Sequence, residues 1–205
     1  MIFYPRNDAH GCELALALDL DPLRLTGRGE RAGFPLYPYI NDRPYVASSF
    51  LSVALAEVFK SALNGHCKAR PELVDRTFPL EATLPCLPVR GGARLLSDLF
   101  GPLGYRVSVT ESPLDAAFPE WGQSPYVGCT LAATLTLKDL LNHLYVLIPV
   151  LDDDKHYWID EQEVDKLLRR GEAWLAQHPK RELIVTRYLK TTPAPGRRRP
   201  KPIGR

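Results

Sequence analysis

The 205 residues (23.0 kDa) suffice for one medium-sized domain or two small ones around a shared core. With 45% hydrophobic and 24% charged residues the composition excludes wholesale disorder and a collagen-like repeat, and 19 prolines, about twice the usual share, predict interrupted elements rather than long helices. The formal net charge of +2 conceals an uneven distribution: residues 197–205 hold five of the 26 basic residues and no acid, leaving 21 basic against 24 acidic residues, so the body lacks the basic excess of a nucleic-acid-binding domain.

The opening Met1–Asp8 lacks the charged-then-apolar order of a secretory signal. The longest apolar run, Leu144–Leu151, is far shorter than the ~20 residues of a bilayer span. Cys12, Cys67, Cys86 and Cys129 lie far apart with no C-x-x-C pair, as expected of reduced cysteines in a cytoplasmic protein.

Leu14, Leu16, Leu18 and Leu20 alternate with small or polar residues and predict a half-buried strand over 12–20. Asp21–Asn41 reads as a long loop punctuated by Gly27, Gly29, Gly33, Pro35 and Pro38. A helix is expected to start at Asn41-Asp42-Arg43-Pro44, where an Asn or Asp oxygen can accept the free amides of the first turn and proline needs no amide partner. Its apolar stripe runs through Ala47, Phe50, Leu51, Ala54, Leu55, Val58, Phe59 and Ala62, and Asn64-Gly65 supplies a left-handed stop.

Leu80, Ala82, Leu84 and Cys86 alternate again, but Pro79, Pro85 and Pro88 lack amides, which assigns this strand to a sheet edge. A short helix is expected from Gly91-Gly92 to Phe100, then a strand through Tyr105, Val107 and Val109, then a proline-rich loop over 111–125 around Trp121. A long strand follows, with Cys129, Leu131, Ala133, Leu135 and Leu137 on one face. Thr136 and Asp139 form a capping box for an apolar helix expected to end before Pro149. A second box at Asp160–Glu163 starts a helix closed by Gly171, and Pro179 suits the first turn of a last helix reaching Leu189. Strands thus dominate the first two-thirds and helices the last third, which gives an α+β fold with a mixed or antiparallel sheet. The domain is expected over 1–190, with 191–205 a disordered basic tail.

Nucleotide signatures are missing. No phosphate-cradling G-x-x-x-x-G-K-[ST] loop exists, and Gly27-Arg28-Gly29 opens no amphipathic helix. His66-Cys67 is a sequence neighbour pair in a loop, without the geometry of a thiolate–imidazole couple, and no G-x-S-x-G elbow occurs. The expectation is a chain with no catalytic, cofactor-binding or metal-binding residue.

One segment breaks a local rule. Asp152-Asp153-Asp154 places three carboxylates just after a helix C-terminus, where the backbone dipole favours cations. Three readings stand side by side: a solvated turn with Lys155, Arg169 and Arg170 as countercharges; a divalent-metal site built from Asp139, His143, Asp152 and His156 at paired i, i+4 spacings; and a protein-docking surface in which Tyr157 and Trp158 serve as aromatic anchors.

Three stretches resemble the N-terminal half of the bacterial 3′-terminal RNA ribose 2′-O-methyltransferase. They are Asn41–Val53, Phe118-Pro119-Glu120-Trp121-Gly122 and especially His143–Trp158, joined by Leu167–Glu172 and His178-Pro179. The resemblance spans about residues 2–190. It implies a module that binds the polynucleotide kinase–phosphatase–ligase (Pnkp) of an RNA-repair system and supports its activity. Methylation of the broken end's 2′-hydroxyl, with S-adenosyl-methionine and a divalent metal, falls to the C-terminal half of such proteins. Relative to that pattern the chain is expected to lack about thirty N-terminal residues and the methyltransferase half, as a frameshifted or split gene would leave it. The expectation is therefore a non-enzymatic, ligase-associating protein that touches RNA only indirectly. Its candidate partner contacts are Asn41, Asp42, Arg43 and Tyr45 at the helix start and Asp152, Asp153, Asp154, His156, Tyr157 and Trp158 in the acidic turn. The alternatives are a metal-dependent or direct RNA binder using Asp139, His143, Asp152 and His156, or a decayed gene fragment.

Overall fold

The computed structural model describes residues 1–18, 45–153 and 161–189. The expected loop Asp21–Asn41, the cap at Asn41–Pro44, the segment Asp154–Asp160 and the tail 191–205 lie outside the described residues.

Strands β1 (Ile2–Asp8) and β2 (Gly11–Leu16) form an antiparallel hairpin. The Asp8 carboxylate closes its turn by accepting the amides of His10 (2.7 Å) and Gly11 (2.9 Å), the local hydrogen bonding that makes aspartate a turn former. Sequence reasoning recognised β2 but not β1, whose Ile2, Phe3 and Tyr4 remain exposed instead of alternating between core and solvent. Leu16 packs on the main core.

The principal sheet has the order β3 (Phe78–Pro88), β5 (Tyr126–Leu135), β4 (Arg106–Thr110), all antiparallel. The proline-rich β3 lies at an edge, as its missing amides require. Between Leu84 and Leu87 the register shifts, so the extra residue reverses the alternation. Leu87 is buried there and Cys86, expected on the inner face, is exposed.

Helix α1 (Tyr45–Val58) breaks at Phe59 and continues as the single turn α2 (Lys60–Leu63), stopped by Gly65 at φ 68°. The stripe is shallower than its pattern suggests: Leu55 and Leu63 are buried, Leu51, Phe59 and Ala62 pack against the core, and Val58 remains exposed. Helix α3 (Arg94–Phe100) follows the two left-handed glycines Gly91 and Gly92 and buries Leu95, Leu96, Leu99 and Phe100.

Helix α4 (Leu137–Asp152) is the centre of the molecule. Thr136 caps it, its hydroxyl accepting the Asp139 amide at 3.1 Å. The Asp139 carboxylate accepts a hydrogen bond from the Thr136 hydroxyl at 2.7 Å rather than reaching back to a backbone amide, so the expected box closes through side chains. Helices α1, α2, α3, α5 (Glu161–Gly171) and α6 (Arg181–Tyr188) all touch α4, as does β3. Val146, Leu147, Ile148, Val150 and Leu151 are consequently sealed from solvent. A helix apolar on every side is a buried helix.

The expected end before Pro149 is not observed; the helix passes through Pro149 and ends at Asp152, four residues beyond Ile148. Proline removes one amide and crowds the carbonyl four residues back, a cost of ~3 kcal/mol in an isolated helix. Here packing of Val150 and Leu151 offsets it, and the last carbonyls find outside donors. The Arg90 amide reaches Leu151 O (2.9 Å) and the Arg187 guanidinium reaches Val150 O (3.2 Å). Pro179 likewise stands before α6 rather than within its first turn. No helix among the described residues is long and apolar enough to cross a membrane.

The central position of α4 is directly measurable. Leu147→Ala should cost about 2–5 kcal/mol in urea-induced unfolding, because the cavity lies in close-packed surroundings. Leu168→Ala, at a position 61% exposed on α5, should stay within about 0.5 kcal/mol. Equal losses would contradict this placement of the helix.

Candidate protein-docking surface

The acidic segment begins inside the fold. Asp152, the last residue of α4, is 1% exposed and so cannot offer its carboxylate to a partner surface, contrary to its expected place among the contacts. Asp153 adopts the left-handed conformation (φ 50°) that ends the helix, a state aspartate tolerates better than most residues. Its carboxylate meets Arg187 of α6 at 3.7 Å, with both side chains mostly covered. The same guanidinium donates to Arg90 O at 2.9 Å and to Val150 O. A cation therefore sits where the helix dipole calls for one.

The solvated-turn reading named Lys155, Arg169 and Arg170 as the countercharges, of which Lys155 lies outside the described residues. Arg170 instead serves the other half of α4, donating to Leu63 O (2.7 Å), Asn64 Oδ1 (3.1 Å) and Asn142 Oδ1 (3.3 Å). Asn142 in turn donates to Lys138 O (2.9 Å) and Leu63 O (3.3 Å), which pins α2 and α5 to the buried helix.

His143 belongs to a chain of rings rather than to a metal site. Phe100, Tyr105, His143, Trp174 and His178 meet successively edge to face, with centroids 5.2–5.7 Å apart. Tyr105 Oη and His143 Nδ1 share a 2.9 Å hydrogen bond, and Trp174 Nε1 donates to Arg170 O at 3.1 Å. At His178 the Lys180 amide donates to Nδ1 (3.0 Å), so the ring proton is on Nε2 and is donated to Leu99 O (2.9 Å). Burial lowers the His143 pKa to about 4, Asp139 opposes the shift and His178 adds to it. Burial, aided by the Asp139 charge, likewise holds the Tyr105 hydroxyl protonated far above its ordinary range.

The four proposed metal ligands do not converge. Asp139 and Asp152 stand at opposite ends of one helix, ~20 Å apart at 1.5 Å per residue. Asp139 is engaged by Thr136 and His143 by Tyr105, while His156 lies outside the described residues. Among the described residues no group of three or more His, Cys, Asp or Glu is placed to hold a metal ion. Burial raises the Cys129 thiol to about 11, which leaves it protonated and unreactive near neutral pH, and Cys67 is an exposed loop residue.

Of the expected contacts, Tyr45 opens α1 and Asp153 closes α4; Asn41, Asp42, Arg43, Asp154, His156, Tyr157 and Trp158 lie outside the described residues. The structure adds a surface that pattern reading passed over as a loop. Phe118 and Trp121 stack with centroids 4.6 Å apart and planes 13° from parallel, yet stay 44% and 58% exposed. Two aromatics three residues apart, the first followed by Pro119 and the second by Gly122, in a stretch without basic residues, were the available signal.

His143 gives the fold a defined acid response. It is neutral in both states above pH ~6.5; below that the unfolded chain takes up a proton that the folded chain refuses until pH ~4. Stability should therefore fall between those values, by about 2 kcal/mol at pH 5. Thermal unfolding at pH 7 and pH 5 should show a smaller acid loss in His143→Gln than in the unsubstituted chain. An unchanged loss would remove His143 as its cause.

A family model described as the RNA repair, ligase-Pnkp-associating, region of Hen1 matches residues 1–196. No curated protein matches the chain. The match takes in the hairpin, the antiparallel sheet, the buried helix α4 and the whole acidic segment, and it reaches six residues past the expected domain end at 190. The chain belongs to the family of the RNA repair, ligase-Pnkp-associating, region of Hen1.

Proposed function

We propose that this chain is a non-catalytic module that docks onto the Pnkp ligase and promotes RNA sealing. Membership of a ligase-Pnkp-associating family over residues 1–196 carries the reading. The chemistry of the described residues is compatible with it. Among the buried titratable groups, Tyr105, His143 and Cys129 are held neutral, and the hydrogen bond and ring contacts of Tyr105 and His143 serve packing. On this reading the chain brings no cofactor and no reacting group, and methyl transfer to the 2′-hydroxyl belongs to a catalytic half that these residues do not form.

An activator works only by differential affinity. It must bind the ligase arrangement competent for adenylation or sealing more tightly than the idle one, since equal affinity shifts no population. The proposed contacts are Asn41, Asp42, Arg43 and Tyr45 at the start of α1, and Asp154, His156, Tyr157 and Trp158 beyond α4. Asp153 supports the second group through its pair with Arg187, and Asp152 is buried at the end of the helix that precedes that group.

The test mixes purified chain with the Pnkp ligase of the same organism and follows ligase adenylation and sealing of nicked RNA. Sealing should rise severalfold, and Trp158→Ala or Tyr45→Ala should remove most of the rise without lowering the melting temperature. Unchanged sealing, with no complex by size-exclusion chromatography, would end this reading.

A further inference from the structure

The loop between β4 and β5 is built as a rigid platform. Its ends are drawn together by hydrogen bonds from Ser124 N to Ser112 O and from Leu114 N to Gly122 O, both 2.9 Å, and by a bridge between Pro113 and Gln123. Inside it, Asp115 Oδ1 accepts the Ala117 amide at 2.7 Å, Phe118 O accepts from Trp121 N at 3.0 Å, and Pro119 O accepts from Gly122 N at 3.1 Å. Gly122 turns at φ 88°, which a side chain there would oppose. The stacked rings of Phe118 and Trp121 are thus fixed by backbone bonding while they face solvent, with Leu114 also 55% exposed. Aromatic surface held outward in one conformation loses little entropy when covered, the property of an interface anchor.

Charge selects what covers it. The platform carries Glu111, Asp115 and Glu120, and no Lys, Arg or His occurs from Val107 to Leu137. Glu111 and Glu120 form no ion pair among the described residues. Three carboxylates repel a phosphate backbone, which disfavours nucleobases stacking on Trp121 even though exposed aromatics can take them. A guanidinium satisfies both halves of the surface: its plane lies on an aromatic face and its N–H groups pair with carboxylates.

We propose that the Phe118–Trp121 platform, with Glu111 and Glu120, seats an arginine-bearing segment of the ligase partner. The proposal rests on the function proposed above and adds a contact separate from the α1 and α4 ends. The full chain, Trp121→Ala, Glu120→Lys and the control Asp75→Lys are titrated against the Pnkp ligase of the same organism and against a 20-nucleotide single-stranded RNA. Circular dichroism melts verify that each variant folds.

Ligase affinity should fall at least tenfold in Trp121→Ala and in Glu120→Lys, hold in Asp75→Lys, and weaken with added salt. Ligase binding that is equal in all four proteins would overturn the platform and leave the docking function standing. Absence of ligase binding by the unsubstituted chain would overturn both. RNA binding lost in Trp121→Ala, with ligase binding intact, would assign the platform to nucleic acid and overturn the proposal. Recovery of ligase affinity in Trp121→Ala on deletion of residues 191–205 would overturn it as well, making the chain's own arginine-rich segment the occupant.

Discussion

The described helices and the edge strand β3 are arranged around α4, which is buried beyond its first turn. Twelve of its sixteen residues are buried, so the polar groups that its own backbone ladder does not satisfy must find partners, mostly on other elements. Asn142 is met by α2 and Arg170, His143 by Tyr105, and the terminal carbonyls by Arg90 and Arg187. These contacts are specific in direction as well as favourable in energy. An apolar helix alone could rotate or slide within an apolar sheath, but one carrying an asparagine and a histidine at fixed heights fits its neighbours in a single register.

Much of this was legible in the sequence because it follows from local rules. Alternation located β3, β4 and β5, prolines placed β3 at an edge, and the Thr136–Asp139 pair marked the start of α4. What escaped was decided by tertiary contact. Pro149 reads as a terminator until the packing of Val150 and Leu151 and the donors from Arg90 and Arg187 are counted. The bulge before Leu87 turned an apparent inward cysteine outward, since one inserted residue inverts all later positions of a strand. β1 went unrecognised because Ile2, Phe3 and Tyr4 give an unbroken apolar run with no alternation.

The candidate site was legible in part for the same reason. The acidic run could be seen to violate a helix-dipole rule, but only the fold shows that its first member is interior, its second is paired, and the guanidinium responsible comes from α6. The i, i+4 spacing of Asp139 and His143 suggested ligands, whereas the fold uses one as a cap and the other as a ring in a buried row. Phe118 and Trp121 gave no periodic signal, because a loop platform is defined by its backbone bonds rather than by a repeat.

The position of Arg187 makes two distant stretches of chain answer to each other. One guanidinium holds the end of α4, through Val150 O and Asp153, and α6 carries it. Within the described residues the last turn of α4 and helix α6 therefore share one clasp, and a change that weakens it at either end is felt at the other. By thermodynamic reciprocity the two effects are equal in free energy, so the coupling between the last turn of α4 and α6 runs both ways.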